Sequence, residues 1–322
     1  MGQGERSARE PPSCWETASH NLSQSKMFML FTESQQAARN ILLLMGRTFF
    51  SGVQIIPDLK LRLYPLLIGP TGVGKSQIVK TAANRLGAYY LRICRGDWNV
   101  VGSRAGRPTT YQVLDYVATY PRVLLHIDEL DKFTDLQSGD WSAAISGNLW
   151  SMLDGVHPVA EYLRDVTFTD KPAPTGEELE ARIKNLWIVG SGTWQSVYKN
   201  SRAGSSIGFG RNSNDEKVGM EAIIASNLIS SELLNRFNND VVFLEYPSLA
   251  ETRRLLDGSG ITKLAKQLGA RVEPESIDWT RGGMRSLETV ATRLALAYHR
   301  RNPASLAKLE TPQAAQPAVQ HP

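Results

Sequence analysis

Cysteine is scarce in this chain of 322 residues: Cys14 and Cys94 are the only two. They are too few to build a zinc site by themselves, and as free thiols they suit a reducing compartment. Long apolar runs are missing as well. No stretch approaches the roughly 18 residues that a membrane span requires, and the run Ile41 to Met45 ends at Gly46-Arg47. Neither sign of charge dominates. The 36 Lys and Arg stand against 32 Asp and Glu, a net charge of +4, too small by itself to point to nucleic acid or an anionic membrane. Any basic footprint has to be local. The N-terminus carries Glu5, Glu10 and Glu16 where a secretory or transit peptide is acid-poor, and Arg6 where a myristoylation motif wants Ser or Thr. A cytoplasmic protein with no membrane partner is therefore expected. Apolar residues make up 42% of the chain, ample for the core of one large domain plus a small one, or of two modest domains.

The strongest local signal is Gly69-Pro70-Thr71-Gly72-Val73-Gly74-Lys75-Ser76, a full Gly-x-x-x-x-Gly-Lys-Ser string after the apolar run Leu61 to Ile68. Glycines let the backbone curl so that its N–H groups face the β- and γ-phosphates of a nucleoside triphosphate. Lys75 adds a point charge, and Ser76 offers a hydroxyl to Mg²⁺. Residues Gly69 to Ser76, with Gln77 next, are the candidate contacts to ATP.

Along the chain, residues 1–25 are polar and Pro/Ser-bearing, and residues 302–322 are rich in Ala, Pro and Gln with little to bury. Both read as flexible tails. Between them, Glu33 to Arg47 has the pattern of a helix. Helical patterns then alternate with the apolar runs Leu61 to Ile68, Tyr89 to Ile93, Val123 to Ile127, Leu186 to Val189 and Val241 to Leu244. Such alternation predicts an α/β domain, a parallel sheet with helices on both faces, with ligands beyond the carboxyl ends of the strands. Residues 248–301 contain helical segments and no strand pattern, and read as a separate all-α domain.

The second signal is Val123-Leu124-Leu125-His126-Ile127-Asp128-Glu129, an apolar strand ending in two carboxylates. Both acids are expected to emerge beside the phosphate loop. There Asp128 can join Ser76 in the magnesium shell, while Glu129 can orient and polarise the water that attacks the γ-phosphate. His126, inside the strand, reads as a packed or edge histidine.

The segments LLIGPTGVGKS, LLHIDELDK, SSIGFG, SELLNRF and GGMRSLE occur here in the order found in AAA+ ATPases, and most resemble the ClpX-like branch (HslU/ClpX type). The resemblance spans most of residues 33–300. It implies a P-loop AAA+ fold with a five-stranded sheet over residues 26–247, a helical lid over 248–301, and rings, usually hexamers, with ATP between neighbours. By motif, Arg236 in Glu232-Leu233-Leu234-Asn235-Arg236-Phe237 resembles the arginine finger that reaches the adjacent subunit's γ-phosphate. Arg285, in Gly282-Gly283-Met284-Arg285-Ser286, resembles the lid's sensor arginine. The polar end of LWIVGSGTW resembles the sensor strand, with either Ser191 or Thr193 as the sensing group. A guanidinium is the right group to neutralise charge on phosphoryl oxygens.

What the ring acts on depends on loops. In Cys94-Arg95-Gly96-Asp97-Trp98-Asn99-Val100-Val101-Gly102 the family's gripping aromatic is replaced by Val100. Either Trp98 or Val100 contacts a threaded polypeptide, or Trp98 packs under its own loop. The same region is basic through Arg92, Arg95, Arg104 and Arg107, the footprint expected if the ring tracks a nucleic-acid backbone, or else a solvated face. The tripeptide Ile207-Gly208-Phe209 resembles the one that docks ClpX on its peptidase ring. The zinc-binding N-terminal domain of ClpX has no counterpart in these residues. The insertion between Val159 and Lys184 shows no readable motif. The leading expectation is a ring ATPase that remodels polypeptide. A DNA-acting motor or loader and a nucleotide-switched assembly scaffold are the alternatives.

Overall fold

The computed structural model describes residues 31–52, 63–100, 106–134, 140–166, 173–194, 231–237, 241–279 and 283–302. Five strands, β1 (Leu66–Ile68), β2 (Tyr89–Ile93), β3 (Val123–Ile127), β4 (Leu186–Gly192) and β5 (Val241–Phe243), form one parallel sheet in the order β2-β3-β4-β1-β5. The helices of this part are α1 (Glu33–Ser51), α2 (Lys75–Leu86), α3 (Thr109–Thr119), α4 (Asp131–Thr134), α5 (Asp140–Leu153), α6 (Val159–Asp165), α7 (Gly176–Ile183) and α8 (Ser231–Arg236).

The crossover from β1 to β2 runs along the sheet in the opposite direction to those from β2 to β3 and from β3 to β4. Right-handed crossovers then place their helices on opposite faces. One face carries Leu91, Ile93, Val123, Leu125, Ile127, Leu186 and Ile188, packed with Val113, Leu114 and Val117 of α3, Leu149 and Met152 of α5, Tyr162 of α6 and Leu179 of α7. The described residues of the insertion therefore form a helical pair seated on α3, where the Tyr162 hydroxyl donates to Asp115 at 2.8 Å. On the other face Trp187 meets Phe49 and Phe50 of α1. Gly46 gives the room for this, since a Cβ there would crowd Leu86 and Trp187.

Strand ends depart from the apolar pattern for identifiable reasons. β1 is confined to Leu66–Ile68, because Pro65 has no N–H for the ladder; its carbonyl still accepts from the Gly190 N–H at 3.0 Å. β4 runs on to Gly192, past its last apolar side chain. Its glycines admit neighbouring rings: a Cβ at Gly190 would lie 2.7 Å from the Phe237 ring. α1 likewise continues beyond Arg47 to Ser51.

Among the described residues, a second compact unit comprises 31–36, the loop Pro70–Gly74 and the chain from Leu244. Its helices are α9 (Leu249–Gly258), α10 (Ile261–Gln267) and α11 (Met284–Arg301). Ser248 caps α9 reciprocally with Glu251, which satisfies amide groups at the helix start. A small core of Leu255, Leu256, Ile261, Ile277, Trp279 and Leu287 holds these helices together. The Trp279 indole donates to Thr252 Oγ1 at 2.9 Å inside it. No helix among the described residues is long and apolar enough to cross a membrane.

Candidate nucleotide site

The phosphate loop leaves β1 at Gly69, whose N–H donates to the Gly192 carbonyl. Gly72 and Gly74 adopt φ of 80° and 83°, the left-handed region in which only glycine is unstrained. Within the second unit this loop is held at two carbonyls. Gln35 Nε2 donates to Val73 O at 2.9 Å, and the Met284 N–H to Gly72 O at 2.6 Å. Gly283, with φ 55°, comes so close to the Gly72 backbone that a Cβ would overlap it. The segment carrying Arg285 is thereby anchored to the loop, and the Arg285 side chain is exposed.

Lys75 and Ser76 open α2. Lys75 is buried, and its Nζ donates to Gly69 O at 2.7 Å. Burial lowers its pKa to about 8, against the opposing pull of Asp128, Asp131 and Glu129. Gln77 is exposed.

The centre of the site is Asp128, just past β3. Its Oδ2 accepts from Ser76 Oγ and from Arg92 Nε, each at 2.8 Å. Its Oδ1 accepts from Ser191 Oγ at 2.6 Å and from the Glu129 N–H at 2.9 Å. Burial opposes ionisation here, but the neighbouring His126 ring and the hydrogen bonds from Ser191, Ser76 and Arg92 overcome it and hold the carboxyl well below the usual range. His126 is fully buried, its Nε2 2.9 Å from Ser191 Oγ and its Nδ1 2.8 Å from the Tyr90 hydroxyl. Burial brings its pKa down to about 4. The packed reading of this histidine is the observed one, with a hydrogen-bond set that the sequence pattern did not reveal.

Ser76 and Asp128 present a hydroxyl and a carboxylate, hard oxygen donors in contact with each other. Among the described residues no group of three or more His, Cys, Asp or Glu is placed to hold a metal. This donor set fits Mg²⁺, which takes one or two carboxylates and otherwise relies on water and substrate phosphates. Bound there, the ion would neutralise charge on the phosphate oxygens.

Glu129 sits in the turn beyond, at φ 57°, a conformation that costs a non-glycine residue and is typical of functional turns. Its Oε2 pairs with Lys132 Nζ at 2.6 Å. Of the two sensor candidates, Ser191 bonds Asp128, whereas Thr193 bonds Asp131 through its N–H at 3.1 Å and its hydroxyl at 2.8 Å.

Residues 65–186 match the model of the family described as ATPase family associated with various cellular activities, AAA. The chain carries an AAA ATPase domain. The matched stretch includes the phosphate loop, Asp128 and Glu129 and ends at the first residue of β4. ATP hydrolysis follows from the AAA domain. AAA ATPases typically use Mg²⁺ and commonly assemble as oligomeric rings.

Other expected residues lie elsewhere. Arg236 donates to Asp154 Oδ2 through Nε at 3.2 Å and Nη2 at 3.0 Å, and to Glu232 at 2.9 Å, with its guanidinium over the Trp150 ring. Trp98 and Val100 are only 5% and 6% exposed. Trp98 meets Phe133 edge to face, so the expectation that either grips a polypeptide is corrected: both are core residues, drawn inward by the apolar face they complete. The described arginines of the basic region have partners within the chain. Arg92 pairs with Asp128, Arg95 donates to the Lys132 carbonyl, and Arg107 pairs with Asp115 at 2.7 Å. Arg104 and Ile207-Gly208-Phe209 lie outside the described residues. The sequence reading missed Arg92 as a partner of Asp128, and Asp131, Lys132 and Gln35 altogether. For Arg92 the alternation of β2 and β3 carried the signal: it is registered with His126, one step along the same face from Asp128.

Proposed function

We propose that copies of this chain form a ring in which ATP hydrolysis drives the remodelling of a polypeptide, in the manner of the ClpX-like branch. The observation that carries the hydrolytic part is the convergence of Ser76 and Ser191 on the Asp128 carboxylate. In this reading residues 26–247 are the nucleotide-binding domain and 248–301 the lid. The loop from Gly69 to Ser76, with Gln77, holds the phosphates, and Ser76 and Asp128 hold magnesium. Glu129 polarises the attacking water once it exchanges Lys132 for that water. Ser191 is the sensor on β4 and Arg285 that on the lid.

Arg236 serves in trans. In the single chain its charge is met by Asp154 and Glu232, so reaching a neighbour's phosphate means exchanging those carboxylates for phosphoryl oxygens. A monomer is accordingly a poor enzyme. Protein is favoured over nucleic acid as the substrate because Arg92 and Arg107 are paired with Asp128 and Asp115, which offsets part of the charge that a phosphate backbone would need. Ile207, Gly208 and Phe209 remain the proposed dock for a peptidase ring.

The test is steady-state ATP hydrolysis with Glu129→Gln as control, comparing stimulation by an unfolded polypeptide with that by single- and double-stranded DNA. Stimulation by polypeptide alone supports the reading. Stimulation by DNA alone overturns it, and slow hydrolysis indifferent to either replaces it with a nucleotide-switched scaffold.

A further inference from the structure

The polar row that contains Asp128 continues across three adjacent strands with a fixed offset. Tyr90 on β2 is registered with Leu124 on β3, and His126 with Val189 on β4. Each next member of the row, His126 and then Ser191, lies two residues beyond that registered partner. A shift of two keeps a side chain on the same face, and the resulting diagonal neighbours are within reach of long side chains. His126 and Ser191 are 0% exposed, so the links are shielded from water. A plain packing role at position 126 is served as well by leucine, which stands at positions 124 and 125 of the same strand. Burying an imidazole is costly unless its nitrogens are bonded, and here both bonds belong to this row.

Counting hydrogens sets the direction. A carboxylate only accepts, so Ser191 places its one hydroxyl hydrogen on Asp128 Oδ1. The Ser191 oxygen then accepts from His126, whose Nε2 must carry the proton. That tautomer leaves a lone pair on Nδ1, which the Tyr90 hydroxyl fills. His126 Nε2 is 4.0 Å from Asp128 Oδ1, too far for a direct bond, so its influence passes through Ser191.

We propose that Tyr90, His126 and Ser191 form a buried, directed hydrogen-bond relay that holds the Asp128 carboxylate by Oδ1 and so fixes it, beside Ser76, as a residue that would hold the magnesium of the nucleotide. His126 and Tyr90 are positioning residues for ATP hydrolysis. The inference rests on the assignment of Asp128 to the metal.

The test uses the full chain and has two arms. Selective ¹⁵N labelling of histidine reads the tautomer of His126 by NMR. The expected result is a protonated Nε2 with a bare Nδ1 that responds to Tyr90→Phe; a proton on Nδ1 overturns the relay. In the second arm the affinity of a fluorescent ATP analogue is titrated against Mg²⁺. His126→Leu is expected to raise the Mg²⁺ concentration required by about 10-fold, the scale seen when a metal ligand loses its outer partner. Nucleotide affinity without Mg²⁺ should be unchanged, and His126→Gln, which keeps an N–H near the Nε2 position, should recover most of the loss. Equal losses with and without Mg²⁺, or no recovery with glutamine, overturn the relay in favour of simple packing. Asp128→Asn with an unaltered Mg²⁺ requirement overturns the underlying assignment instead, and does so even when the tautomer is the expected one.

Discussion

The Asp128 side chain is 8% exposed and bonded by Ser76, Arg92, Ser191 and the Glu129 N–H. Glu129, one residue on, has a side chain 41% exposed, paired with Lys132 on the protein surface. The first belongs to the buried sheet face and the second to the turn that caps it. A carboxylate that positions a metal gains from being immobilised, because the geometry is then established before the ion arrives. One that must engage a water molecule gains from access and freedom to change partners. The left-handed backbone of Glu129 separates the two environments within a single peptide step.

The most direct way to break this contrast is Glu129→Gln, expected to lower kcat by at least about 100-fold, the scale for losing a general base, while nucleotide binding persists. Hydrolysis and binding assays on the same preparation read both; loss of binding would place Glu129 among the fixed groups with Asp128. Ser191→Ala probes the buried side. Removing a donor from a buried carboxylate is expected to cost about 1–3 kcal/mol of stability in urea denaturation, and a negligible change would mean that the other donors suffice.

Lys75 sharpens the buried side through pH. Burial lowers its pKa to about 8 from 10.5, so the folded protein sheds this charge as pH rises through that value while the unfolded chain still keeps it. The group's cost to folding is thus full below the folded value and relieved above it. Nucleotide binding should weaken several-fold between about pH 7 and about pH 9 as the cation is lost, and Lys75→Met should abolish that pH step in a binding titration. The smallest effect belongs to the surface side. Lys132→Ala removes an exposed pair and should change thermal stability by less than about 0.5 kcal/mol; a larger loss would show the Glu129 turn to be as rigid as its neighbour.

Local pattern carried much of this molecule. β2 and β3 lie where their apolar runs predict, and the phosphate loop is legible because its glycines, lysine and serine are contiguous. Strand limits were less so, since Pro65 and the glycines of β4 act through the ladder and through rings such as that of Phe237, which the apolar pattern does not weigh. Trp98 shows the same limit: an aromatic in a polar loop has no local mark that says whether it faces out or in.

The sequence by itself determined the chemistry on offer: a phosphate loop, a carboxylate pair after an apolar strand, and an α/β domain followed by helices. Tertiary structure alone decided which groups meet. Arg92 reaches Asp128 across 36 residues and Ser191 across 63. Those meetings depend on strand register, which is set by how whole faces pack and not by any neighbour in the chain.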